Sequence, residues 1–419
     1  MPGNVATGMS RRGVLRRTGL ALAGVSAASQ TARSGSASAA ESDAPPSMLE
    51  QGAPVTDNPY GVPSVFEKAV VRIPGGKPPF PTAAHMLTPL QDMHGIITPN
   101  GLHYVRDHGG TPAIDPDRHR LLVHGMVDRP LSFGMDDLMR FPSVSRVHFL
   151  ECSGNTPLYK SGKPEWSVQM THGLLSCAEW TGVRLADVLA EAGLKPGATW
   201  MLAEGADAAA MTRSIPVAKA LDDAILAYAQ NGERLRPEQG YPLRLFLPGY
   251  EGNTSVKWLH RLKLGDQPFQ TREETSKYSS LMPDGTARQF NFTMEVKSVI
   301  TQPSPGHGPR GSGFCEITGL AWSGHGRIVR VEVSTDNGAT WRDAVLQDPV
   351  LSKCLTRFRL PWTWDGGPAM LQSRATDETG AVQPTRDKLL AARGANYFYH
   401  YNAITTWRMA PAGEMTLAL

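Results

Sequence analysis

The sequence predicts an α+β chain: a mixed helix-and-strand domain followed by a β-sandwich of immunoglobulin type. Three observations predict it. Helix and strand signals mix from residue 85 to residue 290. Beyond 293 the helix signals nearly vanish, and turn residues recur about every ten positions, the spacing of short sandwich strands. The 419 residues include 42 glycines and 33 prolines, a turn-rich composition that disfavours helical bundles. A chain of this length is expected to form two or three domains.

Residues 1–40 carry Ser10-Arg11-Arg12-Gly13-Val14-Leu15-Arg16, then a mildly apolar run Gly19–Ala28, then small residues ending in Ala37-Ser38-Ala39-Ala40. That order predicts a twin-arginine signal peptide cut after Ala39 or Ala40; a disordered basic tail is the alternative. Such signals export chains already folded, often around a cofactor, so a periplasmic protein is expected. The same 40 residues hold five arginines and no acid, leaving 37 basic against 39 acidic side chains beyond them. Overall charge therefore favours neither nucleic acid nor an anionic membrane surface as partner. No run of about 18 apolar residues occurs, so no membrane span is expected.

Residues 41–84 are rich in Pro, Gly and Ser and read as an extended N-terminal arm. In the domain at 85–290, Arg120–Gly125, Ser145–Glu151, Tyr241–Leu247 and Ser255–Leu264 read as strands. Val183, Leu185, Val188, Leu189 and Ala192 have the spacing of one helix face, stopped at Gly193. In the domain at 291–419, Arg327–Ser334 alternates apolar and polar residues. Val329, Val331 and Val333 are expected to face the core, with a hairpin turn at Asp336-Asn337-Gly338. Arg357–Leu360 and Met370–Ala375 continue the short strands.

The four cysteines are Cys152, Cys177, Cys315 and Cys354. No Cys-x-x-Cys occurs, against zinc ribbons and iron–sulfur clusters, and no Cys-x-x-Cys-His, so no haem of c type is expected on this chain. Cys177, Cys315 and Cys354 sit in apolar or strand-like stretches and read as buried small hydrophobes. Cys152 ends the strand Val147-His148-Phe149-Leu150-Glu151 and opens Cys152-Ser153-Gly154-Asn155. A thiolate on such a loop can ligate a metal or attack a substrate. On spacing alone, a core cysteine before a turn is the competing reading.

Six ordered motifs over residues 85–408 make the sequence resemble the sulfite oxidase family of molybdenum enzymes. They are Tyr104-Val105-Arg106-Asp107-His108, Cys152-Ser153-Gly154-Asn155, Glu204-Gly205-Ala206-Asp207, Glu238-Gln239-Gly240-Tyr241-Pro242-Leu243-Arg244, Val256-Lys257-Trp258, and Val331–Ser334 running on to Gly338-Ala339-Thr340-Trp341. The resemblance implies a molybdopterin-binding domain followed by an immunoglobulin-like dimerisation domain. It implies a molybdenum-molybdopterin cofactor with Cys152 as the protein ligand of the metal, and Cys152, Arg106 and Tyr278 as catalytic residues. It places Tyr104, Val105, Arg106, Asp107, His108, Asp207, Gln239, Arg244, Ser255, Val256 and Lys257 around the cofactor. An arginine at Trp407-Arg408 is expected near the site.

Ser280–Thr286 and Met294–Thr301 are similar to the molybdenum subunits of Sox-system sulfur dehydrogenases. That likeness implies oxidation of carrier-protein-bound sulfur by oxo transfer, with electrons passing to a separate dihaem c-type cytochrome subunit. It implies a homodimer within a heterotetramer. Two departures bear on substrate: Thr156-Pro157 stands where relatives have two arginines, and Asp107 adds a negative charge where they have Asn. Gln239 replaces a pterin-contacting His and can still hydrogen-bond. The competing readings are a dehydrogenase of free sulfite and a non-catalytic periplasmic β-sandwich interaction protein.

Overall fold

The computed structural model describes residues 44–78, 80–156, 162–395 and 397–418. The expected signal peptide and Pro157 lie outside the described residues. Contacts divide the chain into two compact units, one ending at Pro63 and one running from Ser64 to Leu419. Residues 44–63 carry two short 3-10 turns, Pro46–Met48 and Val55–Asp57. Among the described residues no helix is long and apolar enough to cross a membrane.

The larger unit opens with a three-stranded sheet of Ile73–Pro74, His85–Leu87 and Val105–Arg106, so part of the expected arm is already paired. Two five-stranded sheets follow. The first runs Glu233–Arg234, Ile225–Gln230, Leu175–Arg184, Ser143–Glu151, with Arg244–Phe246 also paired to Ile225–Gln230. The second runs Leu131–Phe133, Leu121–Gly125, Leu259–Gly265, Trp200–Gly205, Thr212–Pro216. Within it only Leu121–Gly125 and Leu259–Gly265 are parallel.

The expected helix starts later than its spacing suggests. Val183 and Arg184 still belong to the Leu175–Arg184 strand, and the helix runs Leu185–Ala192. Its predicted face is buried all the same: Leu185, Val188, Leu189 and Ala192 pack with Val123, Met201 and Leu262. Gly193 ends it at φ 72°, a conformation that costs L-residues with a Cβ. The strand expected from Ser255 is shorter, because Gly252–Thr254 forms a 3-10 turn and the extended run begins only at Leu259.

The C-terminal part is a sandwich. One sheet orders Lys297–Gln302, Gly313–Trp322, Thr356–Trp364, Val345–Gln347. The other orders Arg342–Asp343, Ile328–Ser334, Ala369–Asp377, Thr406–Met409, Met415–Ala418. One helix, Arg386–Arg393, interrupts the strands. The expectation for Val329 fails. Pairing with Ala369–Asp377 shifts between Ile328 and Arg330, and this irregularity puts Val329 outside at 51% exposure while Ile328, Val331 and Val333 go in. Cys315 is only half-buried, so its reading as a core residue also fails; Cys177 and Cys354 are buried, with their sulfurs 3.5 Å apart.

The sandwich is not an independent body. Phe149, Val168, Leu175 and Cys177 of the first domain share one continuous core with Val299, Trp322, Phe358 and Trp407 of the second. The strand that ends at Glu151 thus carries the Cys152 loop against the sandwich.

Candidate active site

One cleft collects the expected catalytic and cofactor-contacting residues, all but the arginine at 408. Its lining includes Tyr104, Val105, Arg106, Asp107, His108, Cys152, Asp207, Gln239, Arg244, Ser255, Val256, Lys257 and Tyr278. These come from six separate stretches, carried by the two large sheets, the three-stranded sheet and the loops between them. Leu150, Met211, Glu238, Gly252, Asn253 and Trp258 complete the wall.

Cys152 leaves its strand with its N–H donated to the Leu174 carbonyl at 3.0 Å, and its carbonyl accepts from Asn155 N at 2.9 Å. This fixes a tight loop with the thiol facing the cleft. Burial pushes the Cys152 thiol up, so the free group is a thiol rather than a standing thiolate. Asn155 is itself held: its amide donates to Glu151 Oε1 at 2.9 Å and to the His172 carbonyl at 3.1 Å.

Opposite Cys152, Asp107 pairs with Lys257 Nζ and accepts from Thr111 Oγ1 at 2.6 Å. The negative charge that the sequence suggested at Asp107 is therefore compensated. Burial, opposed by Asp107, brings Lys257 down to about 8. Arg244 donates to the Gln239 carbonyl at 3.1 Å and side-chain oxygen at 3.3 Å, and Gln239 donates to the Tyr104 carbonyl at 3.0 Å. Ser255 accepts from Leu247 N at 3.1 Å, so its hydroxyl shapes the wall. Asp207 accepts from Met211 N at 3.2 Å. Arg106 reaches the carbonyls of Ala84 and Asp107.

Tyr278 lies across the cleft with its hydroxyl 3.5 Å from His108 Nε2. Burial, then the Arg106 charge, bring His108 down to about 4, so its imidazole is neutral near pH 7. Burial raises Tyr278, which stays a neutral O–H donor. Tyr278 adopts φ 46°, and its neighbours Trp258 and His400 have φ 54° and 58°. Non-glycine residues in that region carry strain and cluster at functional sites.

Where relatives have an arginine, this chain supplies no cation. Thr156 is fully buried, and its hydroxyl accepts from Lys297 Nζ at 2.7 Å instead of lining the cleft. Arg408 does not reach the site either. It is exposed on the Thr406–Met409 strand, where alternation turns Trp407 and Met409 inward. The C-terminal segment offers other residues. His400 donates its backbone N–H to the Ser153 carbonyl at 2.8 Å, and the Tyr399 ring lies tilted with its centroid 5.3 Å from that of Tyr278.

Behind Tyr278 sits a buried charge cluster that the sequence did not mark. Arg213 has no exposed surface, and its guanidinium carbon lies 5.0 Å from the Tyr278 ring centroid. It bonds Glu251 Oε1 at 3.1 Å and Glu274 Oε1 at 2.8 Å. His400 Nε2 is 3.1 Å from the other Glu251 oxygen. Only the position of Glu251-Gly252-Asn253, one residue before Ser255-Val256-Lys257, could have hinted at it.

These residues suit a bulky organic group with a phosphate and a soft metal. Arg244 Nε and Asn253 Oδ1 face the cleft region buried and without a protein partner. Gly252 lies so near that a Cβ there would stand 2.6 Å from the Tyr104 hydroxyl, so the wall must stay bare at that point. Arg244 and Lys257 match a phosphate, and Cys152 supplies the soft sulfur donor. Among the described residues no group of three or more His, Cys, Asp or Glu side chains could hold a metal ion alone.

Comparison with known proteins agrees with this geometry. The model of the oxidoreductase molybdopterin-binding domain matches residues 108–273, and that of the Mo-co oxidoreductase dimerisation domain matches residues 288–407. Mitochondrial sulfite oxidase of Mus musculus is 35% identical over 289 residues, 64% of this chain and 52% of its own length. Sulfite oxidase of Gallus gallus is 36% identical over 271 residues, 60% of this chain and 59% of its own length. The chain thus spans little more than half the length of these curated relatives. The crystal structure of the sulfane dehydrogenase SoxCD from Paracoccus pantotrophus matches with a TM-score of 0.88 and 45% identity, covering 90% of this chain and 97% of that one. The chain belongs to the sulfite oxidase family of molybdopterin oxidoreductases.

Proposed function

We propose that the protein is a periplasmic molybdenum dehydrogenase subunit that oxidises sulfur bound to a carrier protein and passes electrons to a c-type cytochrome. The observation that carries the substrate choice is Thr156, withdrawn from the cleft onto Lys297. The cationic side chains lining the cleft are Arg106, Arg244 and Lys257. Arg244 is held by Gln239, and Lys257 is paired with Asp107. Free sulfite is a compact dianion near neutral pH and needs several free cations. A sulfur on a protein tail brings its own docking surface and needs fewer.

In this reading Cys152 would hold molybdenum, with Arg244, Lys257, Gln239, Asp207 and His108 around the pterin. The cofactor, when bound, supplies two-electron redox chemistry at sulfur. Arg106 orients an oxyanion at the mouth of the cleft. Tyr278 donates its O–H to a substrate oxygen, and neutral His108 fixes that O–H from the far side. The dimerisation domain supports a homodimer, and the two-subunit name of the Paracoccus relative supports a second, different subunit as partner.

Each charge-assisted hydrogen bond lost to sulfite is worth about 1.5–3 kcal/mol. The specificity constant for carrier-bound sulfur should therefore exceed that for free sulfite by at least about tenfold at equal ionic strength. A larger constant for free sulfite would leave the chain a sulfite dehydrogenase, the reading its curated relatives favour. Location has its own test. Changing both Arg11→Lys and Arg12→Lys should strand the precursor in the cytoplasm, seen by fractionation; normal periplasmic accumulation of the double variant overturns that part.

A further inference from the structure

We propose that Lys297 of the dimerisation domain is a positioning residue that clasps the Cys152 loop at both of its ends. The loop Cys152–Asn155 is bounded by Glu151 and Thr156. Lys297 Nζ donates to Glu151 Oε1 at 3.0 Å and to Thr156 Oγ1 at 2.7 Å. One ammonium thus ties residues five apart in sequence and closes the loop like a buckle. It comes from a strand, Lys297–Gln302, that is 146 residues beyond Glu151. The inference rests on the reading of Cys152 as the metal ligand.

The clasp is dry and fully bonded. Glu151 has no exposed surface and Lys297 is 2% exposed. Glu151 accepts also from Trp322 Nε1 at 2.6 Å through its second oxygen and from Asn155 Nδ2 at 2.9 Å. All three donors to the carboxylate are rigid or buried, so it can hold the loop in one place. Thr156 adopts φ 64°, a strained conformation that an outside contact must hold. Lys297 also lies 5.7 Å from the Trp322 ring centroid, which fixes its stem. No part of the clasp lines the cleft, so it acts on Cys152 through the loop and not on substrate.

The test uses the full-length chain prepared without molybdenum, in which the Cys152 thiol is free. Iodoacetamide labelling, resolved by peptide mass, compares Cys152 with Cys177 and Cys354, which are sealed in the shared core and report wider opening. In Lys297→Met, Cys152 should label at least about tenfold faster while Cys177 and Cys354 keep their wild-type rates, as a local opening requires. Because Lys297→Met leaves a buried carboxylate unpaired, the double variant Glu151→Gln/Lys297→Met supplies the control. It should regain thermal stability yet keep fast Cys152 labelling, since neither end of the loop is tied. During dialysis, molybdenum should leave the loaded double variant at least about tenfold faster than it leaves wild type, the size of a lost supporting contact. Two results overturn the clasp: wild-type Cys152 labelling in a folded Lys297→Met, or full restoration of protection in the double variant, which would reduce Lys297 to a counter-charge. If the clasp holds while carrier-bound sulfur is not preferred, the loop inference stands and only the substrate assignment fails.

Discussion

Cys152→Ser is expected to lower turnover at least about a hundredfold while leaving the fold intact. Loss of an outer-shell partner typically costs 10- to 100-fold, and in the proposed site Cys152 supplies the donor atom itself. Serine is close in volume, and the loop that carries position 152 is held by backbone bonds to Leu174 and Asn155 rather than by the sulfur. In the proposed site the pterin would keep Arg244, Lys257, Gln239 and Asp207, so cofactor content should fall far less than activity. A hard oxygen cannot replace a soft, polarisable thiolate in tuning the metal. Steady-state turnover and molybdenum content, measured on the same preparation, check this. Near-wild-type turnover in Cys152→Ser together with its loss in Cys177→Ser would remove Cys152 from the centre.

Arg213→Met is expected to cost about 3–5 kcal/mol of stability, the scale of breaking one side of a buried ion pair. Methionine keeps much of the volume, so the loss is chiefly electrostatic. It leaves Glu251 and Glu274 facing each other without their shared cation. The pH dependence carries a signature. Burial alone would raise Glu251, but Arg213 and His400 outweigh it and hold the carboxyl down to about 2 from an ordinary 4.5. A carboxylate depressed on folding stabilises the native state above its unfolded value and loses that contribution as pH falls. Wild-type stability should therefore drop between about pH 4.5 and pH 2, and in Arg213→Met this part of the drop should shrink, since only His400 and Asn253 remain to hold Glu251 down. Urea unfolding across that range reads both effects. Tyr278 and His400 rest on the same cluster, so activity should fall with stability.

The sequence by itself determined the order of the parts and, through its family motifs, the kind of cofactor expected. Cys152-Ser153-Gly154-Asn155, Tyr104–His108 and Val256-Lys257-Trp258 are short local patterns, and each keeps its residues adjacent whatever the rest of the chain does. Through the family resemblance they carry, they implied one shared cofactor site, and the expected lining residues meet in one cleft. The sandwich was legible for the same reason, since turn spacing and alternation are local. Alternation misled at Val329, because a single pairing shift inverts which side chains face in. Trp407-Arg408 misled in the opposite way: a strand carries Arg408 outward, and the loop before it delivers His400 and Tyr399. Only the tertiary structure decided that Thr156 turns to Lys297, that Lys257 neutralises Asp107, and that Arg213 stands behind Tyr278. These pairs join residues 65 to 150 positions apart. Charges that distant meet only when packing of the two sheets and the sandwich excludes water between them, and no spacing along the chain records that.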